Sequence, residues 1–153
     1  MTSSRPPRVL AVASGGGHWV QLLRLRRAFD GADLHYASTV RDSARQVNPA
    51  PFHWFPDANR DTKLRLVLSA LILFWIILRV RPDVVVSTGA AGGYFAIRFA
   101  QIFGGRGMFI DSIANAENLS KAGALALGKA DRTLSQWPEV AAATGAEYHK
   151  SVL

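Results

Sequence analysis

Three stretches of this chain carry the side chains and backbone freedom that chemistry needs. The first is Ser14-Gly15-Gly16-Gly17-His18, which follows a short apolar run and precedes a helical pattern. Backbone N–H groups at such a strand-to-helix turn can hold a phosphate, and contiguous glycines also suit close packing of the helix on the strand. His18, at the start of that helix, could take a proton from a sugar hydroxyl, or brace the loop through a hydrogen bond. The second is Ser87-Thr88-Gly89-Ala90-Ala91-Gly92-Gly93-Tyr94, again between an apolar run and a helix. Gly16, Gly17, Gly89, Gly92 and Gly93 are therefore candidate phosphate-facing positions, and two such turns on one sheet edge suit a diphosphate. The third, Asp111-Ser112-Ile113-Ala114-Asn115-Ala116-Glu117-Asn118, gathers two carboxylates, two amides and a hydroxyl on one segment. Groups of that kind grip sugar hydroxyls, so Asp111, Glu117 and Asn115 join His18 as candidates for catalysis and acceptor binding. Capping of the next turn by Asp111 or Ser112 is the competing use.

Other chemistries lack their residues. The glycines do not follow the dinucleotide fingerprint, and the strand after the first helix ends in Ser38 and Thr39 with no carboxylate for a ribose, which disfavours NAD. Arg41 leaves an NADP enzyme as a minor alternative. There is no G-K-[ST], so no P-loop, and we expect neither a metal nor an organic cofactor. The absence of cysteine excludes disulfide and thiolate chemistry.

The elements that must position these residues alternate regularly. Strands are expected at 8–14, 34–38, 52–55, 83–87, 108–111 and 132–135, and helices at 19–29, 61–79, 91–103 and 121–129. Val84-Val85-Val86 reads as a strand covered on both faces. This βαβα order predicts a Rossmann-like, doubly wound and mostly parallel sheet, one domain over 8–153 behind a disordered tail at 1–7.

One helix has the wrong surface for that role. Between Leu66 and Leu78 only Ser69 is polar, with Lys63 and Arg65 before the run and Arg79 and Arg81 after it. A crossover helix normally keeps a wet face. The run is about 20 Å long, short of the roughly 30 Å of a bilayer core. Monotopic insertion fits better, with Leu68, Leu71, Phe74, Trp75 and Leu78 in the acyl boundary and Arg79 among head groups; burial against a protein partner is the alternative. The formal net charge of +7 on 153 residues calls for an anionic partner. No zinc pattern, basic heptad helix or RNP-like strand supports nucleic acid. With no apolar leader in Met1 to Arg8, the expected location is the cytoplasmic face of a membrane, peripheral or monotopic.

Taken together, Gly16-Gly17-His18 with Leu22-Leu23-Arg24-Leu25, Arg81-Pro82-Asp83-Val84-Val85-Val86 with Thr88-Gly89, Asp111-Ser112-Ile113-Ala114, Ala130-Asp131 and Gln136-Trp137-Pro138-Glu139 resemble the Alg-fourteen-like oligosaccharide biosynthesis family, in its bacterial branch. The likeness runs from Arg8 to Leu153, and a looser one to the MurG transferases points the same way. It implies the amino-terminal half of a GT-B glycosyltransferase split over two polypeptides. This chain would bind a lipid diphosphate-linked saccharide acceptor at a membrane surface and recruit a separate carboxyl-terminal-half catalytic subunit that binds a UDP-sugar. The resemblance also implies that the segment from Trp137 to Leu153, with Glu139 and Tyr148, docks that subunit. Asp111 stands where many relatives show Glu.

Overall fold

The computed structural model describes residues 5–58 and 62–150. Seven strands form one parallel sheet: β1 (Arg8–Ala13), β2 (Asp33–Ser38), β3 (Phe52–Trp54), β4 (Val84–Ser87), β5 (Arg106–Ile110), β6 (Arg132–Ser135) and β7 (Glu147–Tyr148). Their spatial order is β3-β2-β1-β4-β5-β6-β7, and every neighbouring pair is parallel. The chain is thus a Rossmann-like α/β domain. β1 lies between β2 and β4, so the direction of winding reverses at its carboxyl end, where this architecture opens a crevice between two loops.

Both faces of the sheet are covered, and β1 shows how. Leu10 and Val12 pack with Leu73, Ile77, Ile97 and Phe109 on the side of α3 (Lys63–Val80) and α4 (Ala90–Ile102). Ala11 and Ala13 pack with Trp19, Leu22 and Tyr36 on the side of α1 (Gly17–Arg24). A five-residue apolar run without alternation is what burial of both faces requires.

The expected helix over 19–29 is shorter than its apolar periodicity suggested. It breaks after Arg24 and continues as a 3₁₀ turn, Arg26–Phe29, that carries Phe29 into the sheet-side core. The proline-rich segment before β3 holds a one-turn helix, α2 (Ala44–Val47), and two elements were not foreseen beyond β6: α6 (Pro138–Thr144) and β7. The helix α5 (Lys121–Ala126) ends earlier than expected. At the amino end, Arg5 pairs with Asp83 and the Pro7 carbonyl accepts from the Asp33 N–H at 2.9 Å; the rest of the expected tail, Met1–Ser4, lies outside the described residues.

α3 buries Leu73, Ile76, Ile77 and Val80 against the core, yet its outer face is apolar as well. Ser69, its lone polar residue between Leu66 and Leu78, is buried at 3% exposure, while Leu64, Val67, Leu68, Leu71 and Trp75 are exposed, Trp75 at 66%. Among the described residues no helix is long and apolar enough to cross a membrane.

Candidate functional site

The carboxyl ends of β1 and β4 place the two glycine turns side by side. β1 leads through Ser14–Gly16 into α1, and β4 leads through Thr88–Gly89 into α4. Reciprocal hydrogen bonds tie the turns together. The Thr88 hydroxyl donates to the His18 carbonyl at 2.6 Å, and His18 Nδ1 lies 3.0 Å from the Thr88 carbonyl oxygen. A carbonyl only accepts, so this contact assigns the proton of the neutral ring to Nδ1 and leaves Nε2 with a free lone pair. The His18 ring borders a cavity of about 430 Å³ with Ala90, Ala91 and Tyr94 of α4 and Ser120, Lys121 and Leu125. A histidine held by a backbone carbonyl at one nitrogen and presented to a cavity is arranged to accept a proton at the other.

Both helices that start here lack a side-chain cap. The N-cap residues are Gly16 and Gly89, and neither offers an acceptor to the first-turn N–H groups. The neighbouring α5 is different: the Gly123 N–H donates to the Ser120 hydroxyl at 2.9 Å. Uncapped helix starts keep donors and partial positive charge for an anionic ligand. Ala90, the first residue of α4, has φ of +67°, a conformation disfavoured for a residue with a Cβ and found where the surroundings impose it.

The candidate residues separate into groups. Gly16 and Gly17 are exposed at the crevice. Gly92 and Gly93 lie within α4 and face inward, where an added methyl group would meet Phe55 at 2.6 Å and the Ser87 hydroxyl at 1.8 Å. Packing of α4 on the sheet is the use that geometry gives those two.

Asp111 is 1% exposed. Its carboxylate accepts from Asn115 Nδ2 at 3.1 Å and from the Ser120 N–H at 2.7 Å, so it closes the loop between β5 and α5 from behind. The Ser112 hydroxyl accepts from Gln21 Nε2 at 3.0 Å and from the Ala114 N–H at 3.2 Å, tying that loop to α1. Asp111, Ser112 and Asn115 are therefore engaged in building a ledge beside the crevice. Glu117 is exposed on it and makes no hydrogen bond or ion pair among the described residues.

The other expected sets lie apart. Trp137 donates from Nε1 to the Ile113 carbonyl at 2.8 Å, joining the β5 ledge to the start of α6. Glu139 and Tyr148 are exposed, and Leu153 lies outside the described residues. On α3, Leu68, Leu71, Trp75 and Arg79 are exposed, Leu78 is half-buried, and Phe74 meets Phe99 and Phe103 of the α4 end at ring separations of 5.5 and 5.9 Å.

Several charged groups are paired along the strands. At the start of β2 the hydrogen bond from Arg8 holds the Asp33 carboxyl below the usual carboxylate range. Before β6 the Gly107 N–H does the same for Asp131, and across β6 and β7 the Arg132 guanidinium does so for Glu147. These groups stitch the amino ends of the strands. His53 on β3 is pushed below the usual histidine value by burial and by the charges of His35 and Arg79. Among the described residues no group of three or more metal-ligating side chains is assembled.

Sequence reasoning missed Leu66, Lys121 and Leu125 as cavity residues, because a leucine or lysine at helical spacing carries no mark of the space it borders. It weighed Arg41 only as a cofactor contact, whereas the guanidinium lies 3.8 Å over the Trp54 ring.

No family model matches the sequence, and no curated protein matches it. Among solved structures the chain is similar to MurG of Acinetobacter baumannii, with a TM-score of 0.68 at 14% identity over 88% of this chain and 43% of that one. It is also similar to a Listeria monocytogenes protein described as a UDP-N-acetylglucosamine 2-epimerase, with a TM-score of 0.54 at 10% identity over 69% of this chain and 31% of that one. The chain thus spans less than half the length of either. At such identities the likeness is one of fold: a Rossmann-like lobe of the kind that forms the amino-terminal half of GT-B proteins.

Proposed function

We propose that the chain is the acceptor-side lobe of a GT-B-type glycosyltransferase, acting at a membrane surface in polysaccharide or lipid-linked oligosaccharide synthesis. In this reading the nucleotide-sugar site belongs to a separate companion lobe, and the acceptor is a saccharide on a lipid diphosphate. The observation that carries it is the switch-point crevice, where two uncapped helix starts are joined by the His18–Thr88 pair. The diphosphate would meet the first-turn N–H groups of α1 and α4, with Lys121 at the cavity edge. His18 Nε2 would take the proton from the attacking sugar hydroxyl while the Thr88 carbonyl holds the ring. The exposed apolar face of α3, with Lys63, Arg65 and Arg79 at its ends, would lie on the lipid surface. The resemblance to the Alg-fourteen-like family implies the same acceptor binding, membrane recruitment and separate catalytic half.

Reconstitution tests the reading. The chain, a companion nucleotide-sugar lobe encoded beside it, vesicles with a lipid diphosphate acceptor and a UDP-sugar should together give transfer that neither lobe gives alone. Rapid transfer by the isolated chain would overturn it. His18→Ala should lower turnover by about 10²–10⁴-fold if the ring acts as base.

The spent carboxylate of Asp111 favours one second reading, a scaffold that binds lipid and companion but takes no part in the chemistry. Unchanged turnover in His18→Ala at full complex formation would select it.

A further inference from the structure

The cavity at His18 does not end in the crevice. Its walls include Leu66 of α3 and Phe95 of α4. The same two residues line a second cavity of about 520 Å³ that runs between α3 and α4 past Ala70, Phe74 and Phe99, and its lining side chains among the described residues are apolar. The two spaces adjoin at that shared wall, as a trough with one end at the helix starts of the crevice and the other beside the exposed face of α3.

We propose that this trough takes the hydrocarbon chain of a long-chain lipid diphosphate whose head sits at the crevice, an assignment that rests on the function proposed above. Charge selects the head. His18, Lys121 and the uncapped start of α4 border the mouth, and among the described residues neither space is lined by a carboxylate. The lining selects the tail. A peptide laid between α3 and α4 would find no partners for its backbone N–H and C=O groups, and a sugar would find none for its hydroxyls. A hydrocarbon requires none and gains by leaving water. Each space falls in the range of about 300–1,000 Å³ usual for small-molecule sites. The far end opens beside Val67 and Leu71, both exposed, so a chain longer than the trough passes onto the same surface that faces lipid.

Calorimetric titration with farnesyl diphosphate, a soluble chain with the right head, measured against inorganic diphosphate tests the assignment. We expect the prenyl compound to bind at least ~10-fold more tightly, the equivalent of about 1.4 kcal/mol. Leu66→Gln, at the shared wall, and Ala122→Phe, at a residue that also lines the His18 cavity, should each bring the prenyl compound down to the affinity of inorganic diphosphate. Ile102→Ser removes an exposed apolar residue outside the trough and should leave the ratio unchanged. Thermal melts establish that each variant is folded, and Leu66→Gln, on an accessible part of α3, carries the test if Ala122→Phe is not. Equal affinity for the two compounds, or a preference that survives Leu66→Gln, overturns the proposal whatever the reconstituted transfer shows. A prenyl preference abolished by the trough substitutions upholds it even if no sugar is transferred, which separates its failure from that of the proposed function.

Discussion

The two glycine turns share composition, position in a strand-to-helix connection and sheet edge, yet the glycines that lead into their helices stand in opposite surroundings. At the first, a methyl group added to Gly16 or Gly17 would meet nothing within 4 Å. At the second, it would meet the His18 ring at 2.2 Å from Gly89, Phe55 at 2.6 Å from Gly92 and the Ser87 hydroxyl at 1.8 Å from Gly93. Past Gly15, where an added methyl group would meet Val40 at 2.5 Å, the first turn is open space, though the φ of +68° at Gly16 still favours glycine; the second is closed by contact. At Gly17 the open side can be tuned for a ligand without disturbing the fold, whereas the closed turn fixes how α4 seats on the sheet and where His18 stands.

Gly93→Ala should break the closed turn most severely. Ser87 is fully buried on β4, and even its Cβ would lie 2.6 Å from the new methyl group, so no rotation of the hydroxyl relieves the clash. Overpacking of this kind costs about 1–3 kcal/mol or more, and the urea midpoint should fall accordingly. Stability equal to that of the unaltered protein would show that the second turn is not closed by contact at all.

Gly89→Ala should come next. Its φ of +145° is one that residues with a Cβ rarely adopt, and the methyl group would strike His18. The imidazole is half-buried and can swing aside, so the loss should be smaller than for Gly93, about 1–2 kcal/mol. The histidine would leave the Thr88 carbonyl, and the 15N shifts of the imidazole should lose the signature of a proton held at Nδ1.

How far the sequence reveals this contrast follows from what each residue type encodes. Val84-Val85-Val86 and the apolar run at 9–13 announce buried parallel strands, and the glycine clusters announce strand-to-helix turns, because backbone demands are local. Contact distances are not. Nothing near Gly93 in the chain says that Ser87 lies beneath it, and nothing near Asp111 says that Ser120, nine residues on, takes its carboxylate. Helix α6 and strand β7 were not legible because they are short, with a two-residue strand paired at the sheet edge by register alone. The apolar surface of α3 was legible, but not that Ser69 would turn inward.

Thr88→Val sharpens the comparison by removing one of the two bonds between the turns while keeping the shape of the side chain. The His18 carbonyl loses its 2.6 Å donor, at a cost of about 1–2 kcal/mol where the site is closed to water. The remaining contact runs from His18 Nδ1 to a backbone carbonyl that the substitution leaves in place. Thermal stability should therefore fall while the histidine keeps its tautomer. Loss of both together would make the two turns a single unit instead of an open one braced by a closed one.

Gly17→Ala should have the smallest effect on stability and the most informative one on binding. Gly17 is the first residue of α1, is exposed, and has space around its Cα. Its φ is not among the positive ones, so alanine fits the backbone, and the higher helix propensity of alanine opposes any small loss. The net change should lie within about 0.5 kcal/mol in chemical denaturation. The same methyl group, however, would stand on the open side of the turn, where a phosphate must come within hydrogen-bond distance of the first-turn N–H groups. Affinity for farnesyl diphosphate should then fall several-fold with the fold intact. If affinity holds while stability holds, the first turn is empty for reasons other than a ligand, and phosphate recognition rests on α4 and Lys121. If stability falls instead, the turn is not open, and the contrast between the two turns does not exist.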